Sequence, residues 1–152
     1  MKKFLLLVIF INSFSFQKIY AQTFNGGFGY ILDNQEVAIP VIVSGLPNVI
    51  DSTFGLKKVC VSLHHTYDSD IKLIVRSPDG DSVILSGNLG GAGDDYTNSC
   101  FHEDATNFIN NGTPPFTGDW KPVLPNSINT LNNGQNPNGT WYFCVKDEVP
   151  ND

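Results

Sequence analysis

Apolar and polar residues alternate over five stretches of the chain, and each stretch reads as a strand. VAIPVIV at 37–43 puts Val37, Ile39, Val41 and Val43 on one side, and Gly45-Leu46-Pro47-Asn48 then turns the chain. KKVCVSLHH at 57–65 alternates again, with Val59, Val61 and Leu63 inward. DIKLIVR at 70–76 sets Ile71, Leu73 and Val75 against Lys72 and Arg76 on the opposite face. SPDGD at 77–81 carries Pro78 and Gly80 where turn chemistry wants them, and SVILS at 82–86 returns, which makes 70–86 the strongest hairpin. GTWYFCVKD at 139–147 is a last strand with Trp141, Phe143 and Val145 inward. The nine inward residues of the 57–65, 70–76 and 139–147 strands are the expected core.

Between 87 and 139 the alternation weakens. A structureless stretch of that length is unusual in a compact domain, so short strands or pinned edges are expected at 100–101, at 106–109 and around Trp120. No window sustains the three-four apolar spacing of a helix, and Gly, Pro and Asn interrupt every candidate. The expected fold is therefore all-β, a β-sandwich with long end loops.

The first residues follow a different rule. Lys2 and Lys3 precede an apolar run from Phe4 to Phe16, and QKIYAQ brings a small residue, Ala21, before Gln22. That order of charge, short apolar run and small-residue exit predicts a signal peptide at 1–21, too short for a comfortable membrane span. Its removal leaves a domain over 25–152 and takes away Lys2, Lys3 and Lys18. The charge of −6 in the 152-residue chain, 9 basic against 15 acidic side chains, then becomes −9, six against 15. So acidic a product has no footprint for DNA, RNA or anionic lipid. No later stretch reaches spanning length, and the product is expected outside the cell or on a bacterial surface.

Export gives the three cysteines a meaning, since oxidising compartments favour disulfides. Cys60 with Cys100, Cys60 with Cys144 and Cys100 with Cys144 all stay open on sequence grounds. Cys60 and Cys144 both have the parity that points away from their strands' apolar faces. A thiol metal site is disfavoured, because no CxxC pair is present.

Four ordered blocks carry a resemblance. HTYDSDIKLIVRSPDGD at 65–81, GGAGDDYTNSCFHEDAT at 90–106, PFTGDWKP at 115–122 and NGQNPNGTWYFCVKD at 133–147 resemble the P domain, or Homo B domain. This domain follows the catalytic domain of subtilisin-like proprotein convertases and occurs in secreted bacterial proteins. The resemblance covers roughly residues 25–147 and implies a jelly-roll-like sandwich without catalysis of its own, which stabilises or tethers a partner domain. Two departures stand out. His102 occupies the first of the acidic positions that usually follow the phenylalanine at 101, and members usually continue past the aspartate matching Asp147 into a Gly-rich turn and a Trp-containing strand. Against that pattern the domain is expected to be incomplete and to self-associate through an open sheet edge.

Candidate chemistry is sparse. There is no GxSxG elbow and no HExxH, so neither a serine hydrolase nor a zinc protease is expected. His65, at inward parity, is expected to sit at the edge of the core with its ring nitrogens on loop backbone. Loop carboxylates suit Ca²⁺, which takes mixed carboxylate and carbonyl shells. Asp94 and Asp95 with Glu103 and Asp104, flanking what reads as a short turnaround, are the expected ligands, with some support from metal binding in the family. Asp68, Asp70 and Asp147 end or begin strands near loop regions. An adhesion or glycan-binding module is the alternative, with Trp120, Tyr96 and Trp141 as stacking candidates. The acceptor-like Asn111-Gly112-Thr113 and Asn138-Gly139-Thr140 read as accidents of a chain with 16 asparagines.

Overall fold

A computed structural model describes residues 21–150; the expected signal peptide, except Ala21, lies outside them. The fold is an all-β sandwich of two sheets. Strands β1 (Glu36–Val43), β2 (Val59–Leu63), β3 (Ile71–Arg76), β4 (Ser82–Gly87), β5 (Tyr96–Phe101), β6 (Gly118–Trp120) and β7 (Gly139–Asp147) follow in chain order. One sheet runs β1-β7-β3-β4, all antiparallel, and the other runs β2-β5-β6, with β5 and β6 parallel. Helical structure among the described residues consists of three short 3-10 turns, at Asp68–Asp70, Ile109–Asn111 and Ile128–Leu131.

The alternation does the sorting expected of it. Ile71, Leu73 and Val75 of β3, Val83 and Leu85 of β4 and Trp141 and Val145 of β7 are buried between the sheets. From the far sheet Tyr96 and Phe101 of β5 meet them, with Phe116 stacked on Tyr96 at 4.7 Å between ring centroids. The long connection adds Ile109, Ile128 and Leu131, all buried, so the stretch of weakest periodicity supplies core through 3-10 turns. Pro40 sits in β1, an edge strand, where a missing N–H need cost no ladder bond.

Some expectations need correction. The second strand is shorter than 57–65, because Lys57, Lys58, His64 and His65 leave the ladder, and its inner residues Val59, Val61 and Leu63 are only half-buried. Phe143 is likewise half-buried. The segment 106–109 is not a strand; it makes one isolated bridge, Phe108 to Lys121, and enters a 3-10 turn. Of the three cysteine pairs, Cys60–Cys100 is the disulfide, joining directly opposed residues of β2 and β5 across a Cα separation of 4.0 Å. Cys144, on the outer side of its sheet between Ala38 and Ile74, is free and nevertheless buried, and burial pushes its thiol pKa up.

Candidate functional site

The half-burial of β2 and of Phe143 has one cause. Beside β2 the two sheets do not close on each other, and a cleft of about 1260 Å³ opens between β2 and the inner faces of β1 and β7. Val59, Val61 and Leu63 form one wall, and Val37, Ile39 and Val41 with Phe143 form the other. Among the described residues β2 is hydrogen-bonded only to β5, and its other edge borders the cleft. The segment 21–31 lies over part of β1 without forming a strand. Gly26 helps it come close, since a Cβ there would fall 3.0 Å from Val41 Cγ2. Phe28 and Tyr30 of that segment point outward, 92% and 81% exposed.

At the end of β2 lies a carboxylate cluster. The Asp95 carboxylate accepts the backbone N–H of His65 at 3.1 Å and contacts His64 Nδ1, which ties the exit of β2 to the entry of β5. His65 Nδ1 lies 3.1 Å from Tyr67 O, as expected of an edge-of-core histidine on loop backbone, and its Nε2 lies 3.6 Å from Asp147 Oδ2. Asp68, in the 3-10 turn before β3, is fully buried; the backbone N–H of Asp95 favours its charged form, but neither carboxylate oxygen has a partner in full hydrogen-bond geometry. Its backbone N–H donates to Gly93 O at 2.9 Å and that of Ser69 to Gly91 O at 3.2 Å, which docks the glycine loop on the turn. Gly90 permits this closeness, since a Cβ there would lie 2.9 Å from Asp68 Cβ and from Pro114 Cγ. Burial first, then the charge of Asp95, push the Asp68 carboxyl up to about 7.

The four expected cation ligands do not form one shell. Asp94 and Asp95 precede β5 while Glu103 and Asp104 follow it, so a six-residue strand, and not a short turnaround, separates the pairs. At about 3.3 Å per residue that strand holds them roughly 20 Å apart. Glu103 is already employed, accepting Ser127 Oγ and Ile128 N, both at 2.7 Å, at the start of the last 3-10 turn. Asp104 is exposed and shares a small recess with Glu103, Lys57 and Asn132. His102, at the departed acidic position, lies 3.0 Å from Asp119, which also holds Lys58 at 2.7 Å. Asp68 was expected at a strand end near a loop and was left out of the set. Its only signal was the DSD spacing ahead of an alternating strand.

The stacking candidates are spent on packing. Tyr96 is fully buried with its hydroxyl 2.9 Å from Ser86 Oγ, and Trp141 is buried and donates to Pro137 O at 2.8 Å. Trp120 is half-buried and donates to Phe116 O at 2.7 Å.

No family model, no curated protein and no solved structure matches the chain. No helix among the described residues is long and apolar enough to cross a membrane.

Proposed function

We propose that the chain is an exported, non-catalytic β-sandwich of the P-domain type, acting outside the cell or on a bacterial surface, that stabilises or tethers a partner polypeptide. The observation that carries this reading is the cleft beside β2, where apolar walls adjoin an unpaired strand edge. Such a surface suits an extended segment with apolar side chains at alternate positions. Main-chain bonds to β2 would give affinity, and pockets between Val61, Leu63 and Val41 would select side chains. The disulfide between β2 and β5 supports export, and the four sequence blocks support the domain type.

The test uses the purified full-length chain and a panel of alternating Val/Thr peptides, with proline-interrupted versions as controls. Binding is read by fluorescence anisotropy and by hydrogen exchange at 59–63. Alternating peptides should bind and protect the β2 amides, proline-interrupted ones should not, and Val61→Glu should abolish the effect. Binding that leaves β2 unprotected, or that survives Val61→Glu, overturns the reading, as does a uniform absence of binding.

A further inference from the structure

We propose that Asn25 is a site of self-catalysed deamidation, through which the chain changes the lining of its own cleft with time. The chemistry belongs to Asn-Gly pairs. The main-chain nitrogen after an asparagine attacks the side-chain carbonyl, an intramolecular step favoured by proximity, and glycine leaves that nitrogen unhindered. Such pairs occur at 25–26, 111–112, 133–134 and 138–139. The fold restrains the last three. Gly112 N donates to Ile109 O at 2.8 Å at the end of a 3-10 turn, and a Cβ there would fall 2.9 Å from Phe116 Cδ1. Gly134 N donates to Ile50 O at 2.8 Å, while Asn133 Nδ2 donates to Asp81 Oδ2 at 2.8 Å. Asn138 exchanges two bonds of 2.9 Å with the backbone of Leu46, and Gly139 is held in β7 opposite Val43. In each of these pairs the attacking nitrogen or the target amide must first leave a partner, which costs free energy before any bond forms.

Asn25-Gly26 carries no such restraint. Both residues are exposed, and among the described residues neither takes part in a hydrogen bond. Gly26 N gives up its proton to a solvent base and bonds to Asn25 Cγ; the bond from Cγ to the amide nitrogen breaks, and ammonia leaves with a proton from water. The product is a five-membered imide. Water then opens it on either side of the ring nitrogen, which leaves an aspartate or an isoaspartate at position 25. The place matters because Asn25 lines the cleft, whose described lining includes neither Asp nor Glu. Deamidation sets a carboxylate on that largely apolar surface, where charge is costly to bury beneath a ligand. The isoaspartate also lengthens the main chain by one methylene just where Gly26 packs on Val41. The modification stands whether or not the cleft takes a partner; its effect on binding rests on the reading of the cleft as a partner site.

Purified full-length chain is incubated in heavy-oxygen water near neutrality and at alkaline pH, folded and in denaturant, and mapped by peptide mass spectrometry. Isoaspartate is read separately by isoaspartyl methyltransferase labelling. In the folded chain position 25 should convert about tenfold or more faster than 111, 133 or 138, take up heavy oxygen, yield both isomers and speed up with pH. In denaturant the four pairs should converge, and Asn25→Gln should remove the early product. Equal rates at the four pairs of the folded chain, earlier conversion at 111, 133 or 138, or no conversion at 25 while the denatured chain converts would each overturn the proposal. For the effect on the cleft, Asn25→Asp and Asn25→Gln are compared with the alternating Val/Thr peptides. Asn25→Asp should bind them about threefold or more weakly. Equal affinity for the two variants overturns the effect on binding, and peptides that bind neither variant count against the partner reading while the mass map still decides the modification.

Discussion

The side chain of Asn132 pairs with both backbone groups of Leu56: Leu56 N donates to Asn132 Oδ1 at 2.7 Å, and Asn132 Nδ2 donates back to Leu56 O at 3.1 Å. Asn138 treats Leu46 the same way, with both bonds at 2.9 Å. Two asparagines from the last connection thus stand in for a neighbouring strand along the loop between β1 and β2. Asn132→Ala should leave Leu56 unpaired and cost about 1–3 kcal/mol in urea denaturation. Asn132→Asp should rescue only the bond that Leu56 N donates. An unchanged midpoint for Asn132→Ala would mean that water replaces the amide at no cost.

The open side of the sandwich should be visible in packing energetics. Leu73 is fully buried at the centre of the closed side, and Leu73→Ala should cost about 2–5 kcal/mol. Val61 faces the cleft and is half-buried, so Val61→Ala should cost about 1 kcal/mol or less. Equal losses would mean that the cleft is closed in solution.

Thiol chemistry separates the three cysteines. Under native conditions the chain should react with no thiol reagent, and in denaturant it should expose one thiol, Cys144. Replacing both Cys60 and Cys100 by Ser opens a loop with a sequence separation of 40 and should cost about 2–4 kcal/mol. A native chain that titrates two thiols would contradict this pairing.

Acid should weaken the domain partly through Glu148. Its carboxylate accepts Lys146 Nζ at 2.8 Å, Lys72 Nζ at 2.9 Å and Asn88 Nδ2 at 3.1 Å, and these bonds, Lys146 first, hold its pKa down at about 2 against an ordinary 4.5. A depressed folded-state pKa gives stability that is complete above about 4.5 and lost as pH falls through about 2. Because the pair is partly exposed, its worth is discounted to about 1 kcal/mol. Glu148→Gln should therefore be less stable than wild type near neutrality, with the difference fading toward the acid end. A difference constant with pH would assign the loss to packing.

The strands that were legible in the sequence are those in which one face is buried and the other is wet. β1, β3, β4 and β7 were read within a residue of their ends because their alternation is uninterrupted. β5 hides its alternation: Tyr96, Ser99 and Phe101 are its buried residues, Ser99 uses its hydroxyl to reach Phe116 O at 2.6 Å, and Asn98 has a positive φ of 51°. An inward serine and a strand residue in left-handed conformation leave no period-two signal. The carboxylates were misgrouped for a related reason. With only 100–101 of β5 expected as strand, Asp94–Asp95 and Glu103–Asp104 looked like neighbours, and the burial of Asp68 depends on the close approach of Gly90, which no local pattern contains.

The Cys60–Cys100 bridge joins the strand bordering the cleft to the strand behind it. A five-residue strand with a register shift after Val61 would peel easily if a tethered partner were pulled away from it. With the bridge in place, tension entering β2 passes along a covalent path into β5, so sheared backbone bonds between them cannot release the strand. Parting the two strands at Cys60 would take reduction of the bridge as well as shearing of the ladder.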